Sequence, residues 1–354
     1  MSDDPDKTGG PAAGDRKDAH LALAADPLAL SGISAGFERV RLEHCALPEC
    51  SLADVRIETD CLGRQVSAPL FVGSMTGGTA HADAINEALA ETAEAAGVAL
   101  AVGSQRASLE SGRSQAGLRK RAPSVPLIGN LGGVQLAMEG GIDLARRAVD
   151  DLQAEAIFIH LNPLQEAAQP EGETDWRGVL TAIGTLVGTL PVPVMVKEVG
   201  AGIGPDVARR LFDAGVHAVD VAGLGGTNWT RIEVARRSEA ALFAPFLDWG
   251  LPTVDALRGV RAACPHGRLI ASGGIADGLD AAKALWLGAA LVSMAGPVLR
   301  ALTGDGRGTP DPEAAEQVIT LWKDQLRLAM FLTGASDLSA FAGKPGHVDA
   351  LAAR

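Results

Sequence analysis

A parallel α/β barrel of eight strands, the (β/α)8 TIM-barrel class, is the fold this sequence predicts, on three observations. Eight short apolar runs recur from position 69 onward, each followed by a polar or glycine-containing turn and then an alanine- and leucine-rich stretch. Many of the 43 glycines stand just after those runs, where they permit tight strand-to-helix turns. The span from 69 to 330 also matches the roughly 250 residues that such a barrel commonly needs. An open doubly wound sheet is the alternative, but the first repeat has no GxGxxG turn and a count of eight suits closure.

The predicted strands are PLFVG (69–73), VALAVG (98–103), PLIGN (126–130), AIFIH (156–160), PVMVK (193–197), VHAVDV (216–221), RLIAS (268–272) and AALVSM (289–294). Between them, ADAINEALAETAEAAG, IDLARRAVDDL, GPDVARRLFDAG, TVDALRGVRAA and GLDAAKALWLGA each have the apolar spacing of a helix with one face for the sheet. DGRGTPDPE (305–313) reads as the loop before a last helix, and GASDLSAFAGKPGHVD as a tail with little periodicity. The expected organisation is therefore an extension over 1–68, the barrel over 69–330 and a tail over 331–354.

Hydrophobic residues at 47% and charged residues at 21% exclude a generally disordered chain. A net charge of -12, from 31 lysines and arginines against 43 acids, disfavours wrapping of nucleic acid or binding to an acidic membrane. Cys45, Cys50, Cys61 and Cys264 form no CxxC pair or zinc pattern and are too few to staple the chain, which fits a reducing cytoplasm. The polar start lacks the apolar centre of a secretion signal, and no later uncharged run is long enough to span a bilayer.

In this register SMTGG, GSQR, GN, HLNPLQE, KEVGAG, GGTNW, SGG and AGP follow successive strands, so their side chains converge on the mouth where barrels carry their chemistry. Gly273 and Gly274, then Gly296, are strand-end glycines that let backbone N–H groups approach a phosphate, although tight turns alone would also use them. The glycines leave flavin, sugar phosphate or another phosphorylated ligand open. Lys197 ends an apolar strand, a costly place for a cation unless it is solvated or meets an anion such as a reduced flavin ring. His160 and Asn162 can donate to phosphate oxygens, and Glu166 can neutralise a hard divalent cation, with a polar capping turn as the plainer reading of the segment. Gln165 offers a neutral amide for orienting a proton path, or a structural hydrogen bond. Arg16, Lys17 and His20 in RKDAH, with Arg106, would make a cationic lid, although RKDAH alone reads as a solvated charge run.

RKDAH, SMTGG, GSQR, HLNPLQE, VKEVGAG, GGTNW, SGG and AGP, taken in order, resemble the flavin-dependent type II isopentenyl-diphosphate isomerases over most of residues 16–330. The resemblance implies an FMN barrel enzyme that interconverts isopentenyl and dimethylallyl diphosphate with magnesium and reduced flavin, NADPH serving as reductant and no net oxidation occurring. It assigns Ser74, Met75, Thr76, Ser104, Asn130, Lys197, Thr227, Gly273, Gly274, Ala295 and Gly296 to flavin binding. Arg16, Lys17, Arg106, His160, Asn162 and Gln165 fall around the substrate, Gln165 as the catalytic relay, and Glu166 at magnesium. It also implies a homotetramer or larger homo-oligomer, with the N-terminal segment reaching toward a neighbouring site. Two other readings stand beside it. A flavin-dependent 2-hydroxy-acid oxidase or dehydrogenase would suit SGGIADGLDAAKALWLGA, but lacks its histidine near the sixth and seventh strands. A phosphate-binding protein without turnover is the other.

Overall fold

The computed structural model describes residues 29–75, 80–235, 237, 240–304 and 309–350. Arg16, Lys17, His20, Thr76 and part of the 305–313 loop lie outside them. Each predicted run coincides with one strand, the third extending two residues past its run: β1 Leu70–Val72, β2 Ala99–Ala101, β3 Leu127–Gly132, β4 Ala156–His160, β5 Val194–Lys197, β6 Ala218–Asp220, β7 Leu269–Ala271 and β8 Ala289–Met294. All neighbours are parallel, and β8 pairs with β1 to close the barrel.

The strands are short and apolar because they are covered on both sides. Outside, the core between sheet and helices takes in Leu70, Leu100, Ile157, Val196 and Val292. Inside, Phe71, Ile128, Phe158, Met195, Ile270 and Leu291 pack together, with the Phe71 and Phe158 rings stacked at 6.2 Å between centroids. The hairpin of Thr59–Cys61 and Arg64–Val66 adds Cys61 and Val66 to this inner cluster. A filled interior leaves ligands only the mouth.

The ring of helices includes Ala80–Ala96, Gly141–Leu152, Pro205–Asp213, Thr253–Ala263 and Gly278–Trp286, as the periodicity predicts, and Pro312–Leu332 as the last. Val179–Thr189 is a helix that the sequence reading did not select; its mean composition is apolar, so its buried stripe of Val179, Ile183 and Leu186 does not stand out. The tail carries more structure than its periodicity suggests. Leu338–Ala342 is helical behind an Asp337 cap, and Gly346–Val348 pairs antiparallel with Val40–Leu42. That pairing joins residues about three hundred positions apart, which no local pattern reports.

Candidate active site

A cleft of about 250 Å³ opens at the C-terminal ends of β1, β5, β6, β7 and β8. It gathers eight of the residues predicted for flavin: Ser74, Met75, Lys197, Thr227, Gly273, Gly274, Ala295 and Gly296. Leu30 forms its edge, where the N-terminal segment crosses the loop after β6: Ser31 N donates to Gly226 O at 2.8 Å and Asn228 N to Ala29 O at 2.7 Å. Two other predicted flavin residues stand outside this lining. Ser104 is partly buried in the loop after β2, and Asn130 is buried on β3.

One side of the cleft is backbone. Gly273 and Gly274 have φ of +94° and +69°, and a side chain on Gly273 would stand 2.1 Å from Gly223 O. Thr253 locks this turn from beneath, its Oγ1 donating to Gly273 O at 2.6 Å. Opposite, the helix Gly296–Thr303 starts at Ala295, which provides no side-chain cap. Among the described residues, nothing accepts a hydrogen bond from the N–H groups of Gly273, Gly274 or Gly296. Ser74 Oγ is likewise buried with no partner. Uncapped donors around one hollow suit an anionic group.

Lys197 enters the lining from the end of β5, next to two side chains, His160 and Asp220, that do not line the cleft. Strand register sets His160, Lys197 and Asp220 in a row across β4, β5 and β6. Lys197 Nζ donates to Glu198 O at 2.6 Å; burial lowers its pKa, against the carboxylates of Asp220 and Glu198, which raise it. Burial pushes Asp220 up to about 6, while Lys197 and a 2.7 Å bond from Ser272 Oγ pull it down, and its Oδ2 has no partner. Burial, then the Lys197 charge, hold His160 down at about 3, so its ring is neutral at neutral pH. His160 Nδ1 lies 2.8 Å from Asn130 Oδ1. In that arrangement Nδ1 carries the proton and Nε2 is an acceptor; donation from Nε2 to a phosphate needs the other tautomer, with the Asn130 amide turned over.

Asn162, Gln165 and Glu166 come together on the turn Pro163–Ala168. Asn162 Nδ2 donates to Gln165 Oε1 and to Glu166 Oε1, both at 3.1 Å, and Glu166 Oε2 accepts from Glu173 N at 2.8 Å. Gln165 Nε2 donates to the buried Glu233 at 3.2 Å. Gln165 lines a neck of about 20 Å³ that shares Val199, Gly200 and Trp229 with the main cleft. Among the described residues no group of three or more His, Cys, Asp or Glu is placed to hold a metal ion. Arg106 begins a short helix and pairs with Glu110 at 2.9 Å, outside the described lining.

Three residues that organise the site escaped the sequence reading. Glu198 Oε2 accepts from the N–H groups of Val199, Gly200, Ala201 and Gly202, which wraps the loop after β5 around one buried carboxylate. Gln105, in the loop after β2, ties β3 to the helix Gly141–Leu152, its Oε1 accepting from Asn130 N at 3.0 Å and its Nε2 donating to Ala148 O at 3.0 Å. Asp220 is the third. A charged residue inside VHAVDV, and a second one directly after Lys197, were the available signals.

A family model described as FMN-dependent dehydrogenase matches residues 151–348. An isopentenyl-diphosphate delta-isomerase of Stutzerimonas stutzeri is 50% identical over 331 residues, 92% of this chain and 94% of that protein. The chain belongs to the isopentenyl-diphosphate delta-isomerases, in their FMN-dependent type II form. Isomerases so named from Xanthobacter autotrophicus and a Nostoc species are 50% and 43% identical, covering 94% and 86% of the chain and 97% and 86% of those proteins. Mandelate oxidase, solved with benzoyl-formic acid, superimposes on this isomerase-family chain with a TM-score of 0.63 at 20% identity, covering 97% of the chain and 92% of that structure. At that identity the likeness is one of fold. The lining of the isomerase-family cleft includes no histidine among the described residues, whereas a 2-hydroxy-acid oxidase needs a base there.

Proposed function

We propose that this chain interconverts isopentenyl diphosphate and dimethylallyl diphosphate, by adding a proton to one alkene carbon and removing another from a neighbouring carbon. No net oxidation occurs. The observation that carries the reading is an isomerase 50% identical across 92% of the chain.

The cleft fits FMN. Its free N–H groups after β7 and β8 suit the phosphate, and the orphaned Ser74 hydroxyl and Lys197 suit the polar edge of the ring. When bound and reduced, FMN supplies an electron-rich ring against a developing tertiary cation and a nitrogen able to exchange a proton. The chain's own residues do the rest. Lys197 holds a positive charge where the reduced ring is anionic. Gln165, with both ends of its amide engaged by Asn162 and Glu233, is held in one orientation beside the neck and serves as a neutral relay. A neutral group there avoids trapping the cation. His160, in its other tautomer, and Asn162, by exchanging one of its two amide bonds, would bind the diphosphate with Arg106 and the N-terminal Arg16 and Lys17. Each oxygen of Glu166 accepts one protein hydrogen bond and keeps a lone pair with which it would hold magnesium, an ion that would neutralise the diphosphate.

Met75, Thr76, Ser104, Asn130, Thr227 and Ala295 complete the proposed flavin site. NADPH is the proposed reductant, a homotetramer or larger assembly the proposed state, and the cytoplasm the proposed location. The barrel over 69–330 carries the chemistry, with 1–68 contributing a lid and 331–354 a tail. Among the described residues no helix is long and apolar enough to cross a membrane.

The test supplies isopentenyl diphosphate to the enzyme with magnesium and photoreduced FMN and separates the products. Dimethylallyl diphosphate should form with the flavin still reduced at the end. No isomerisation under verified reduction, or oxidation of lactate or glycolate instead, would overturn the reading.

A further inference from the structure

We infer that Arg300 clamps the phosphate of FMN. The inference rests on the FMN reading above and adds a residue that neither the sequence motifs nor the resemblance picks out. Arg300 lines the cleft from the helix Gly296–Thr303. Its side chain runs back toward the start of that helix, as long helical side chains do, and brings Nη1 to 3.0 Å from where a Cβ on Gly296 would stand. A cation at a helix N-terminus faces the positive end of the dipole, an unfavourable place unless an anion lies between them. Among the described residues the Arg300 guanidinium has no hydrogen-bonding or ion-pair partner, although acids outnumber bases in the chain by 43 to 31. Arg300 is exposed, and exposed arginines elsewhere either pair, as Arg121 does with Glu87, or stay unpaired among the described residues, as the Arg210 and Arg258 side chains do; what sets Arg300 apart is its place in the cleft lining beside Gly296.

The guanidinium therefore stands beside the free N–H of Gly296, across from those of Gly273 and Gly274, with the missing charge on the ligand side. A phosphate monoester there takes neutral donors from the backbone and a forked, charged donor from Arg300. The substrate's diphosphate has the same chemistry, but the glycine turns that accompany Arg300 lie on the opposite side of the site from His160, Asn162 and Glu166. That favours the flavin as the source of the phosphate.

The experiment titrates the flavin-free full chain with FMN and with riboflavin, which lacks the phosphate, by quenching of flavin fluorescence. Arg300→Met should raise the Kd for FMN on the order of 10- to 100-fold, the usual worth of a charged hydrogen bond. The Kd for riboflavin should stay within about twofold, since no interaction with the ring is removed. Arg300→Lys, which keeps the charge without the fork, should fall between. Unchanged FMN affinity, or equal losses for FMN and riboflavin, would overturn the role. So would an effect confined to the KM for isopentenyl diphosphate, which would give the arginine to the substrate. A wild-type chain with no preference for FMN over riboflavin would remove the cofactor reading itself, a result distinct from failure of Arg300 alone.

Discussion

The two sides of the cleft are made of different material. After β7 and β8 the wall is backbone, with glycines packed so tightly that Gly273 has no room for a side chain. At the end of β5 the lining carries Lys197, which stands in register with His160 and Asp220 just outside the lining, and the charge of these groups depends on burial and on one another. A backbone wall offers donors fixed by the fold and insensitive to pH. The side-chain wall offers charge that can be tuned, at a cost in stability. A phosphate that stays bound through every turnover suits the first, and a substrate that changes charge as it reacts suits the second.

The sharpest way to break this contrast is Gly273→Ala. Its Cβ would meet Gly223 O at 2.1 Å on a backbone with φ of +94°, so stability should fall by about 3 kcal/mol or more, read as a lowered thermal midpoint. A midpoint near that of the wild type would mean that the turn is not the rigid wall described. On the other side, Lys197→Met should leave the fold intact and weaken reduced FMN more than oxidised FMN, by roughly 10- to 100-fold. Equal losses for the two redox states would make Lys197 a general packing or phosphate contact.

Asp220 tests the cost of buried charge. Its carboxyl is raised from 3.8 to about 6, so in that interval the folded protein keeps a proton that the unfolded chain has released. The stability it contributes is complete below about pH 3.8 and is lost as pH rises toward about 6. Asp220→Asn has no such loss, so the wild type should decline relative to the variant by ~2 kcal/mol across that window and run parallel above it. Denaturant midpoints from pH 4 to 8 measure the difference, and parallel curves throughout would remove the assignment. Glu166→Gln should raise the magnesium needed for half-maximal rate by roughly tenfold while sparing FMN affinity. Unchanged magnesium dependence would take Glu166 out of the metal site. The smallest effect belongs to Gly296→Ala, whose nearest neighbour is the movable end of Arg300; stability of the flavin-free chain should change by about 0.5 kcal/mol or less.

What the sequence made legible divides along physical lines. Strands buried on both faces read as apolar runs, and all eight predicted runs hold a barrel strand. β3 continues two residues beyond its run, to Gly132, because Leu131 and Gly132 pair in register with Ile159 and His160 of β4. Motif glycines and Lys197 were legible because strand ends point to the mouth of a closed barrel. Contacts created only by closure were not. Gln165 reaching Glu233, Asp220 opposite Lys197, and the tail strand paired to Val40–Leu42 join segments with no shared local pattern. Glu198 was hidden for another reason: its partners are the next four backbone N–H groups, and nothing in KEVGAG says that the chain will curl around its own carboxylate.

The most direct test of the central claim is a crystal structure of the chain with reduced FMN. The phosphate should lie within hydrogen-bonding distance of the Gly274 and Gly296 N–H groups, and the ring should lie against Lys197 and Ser74, with Gln165 and Glu166 facing the space above it. A flavin bound elsewhere, or one whose phosphate points to the β4 and β5 side, would contradict the account.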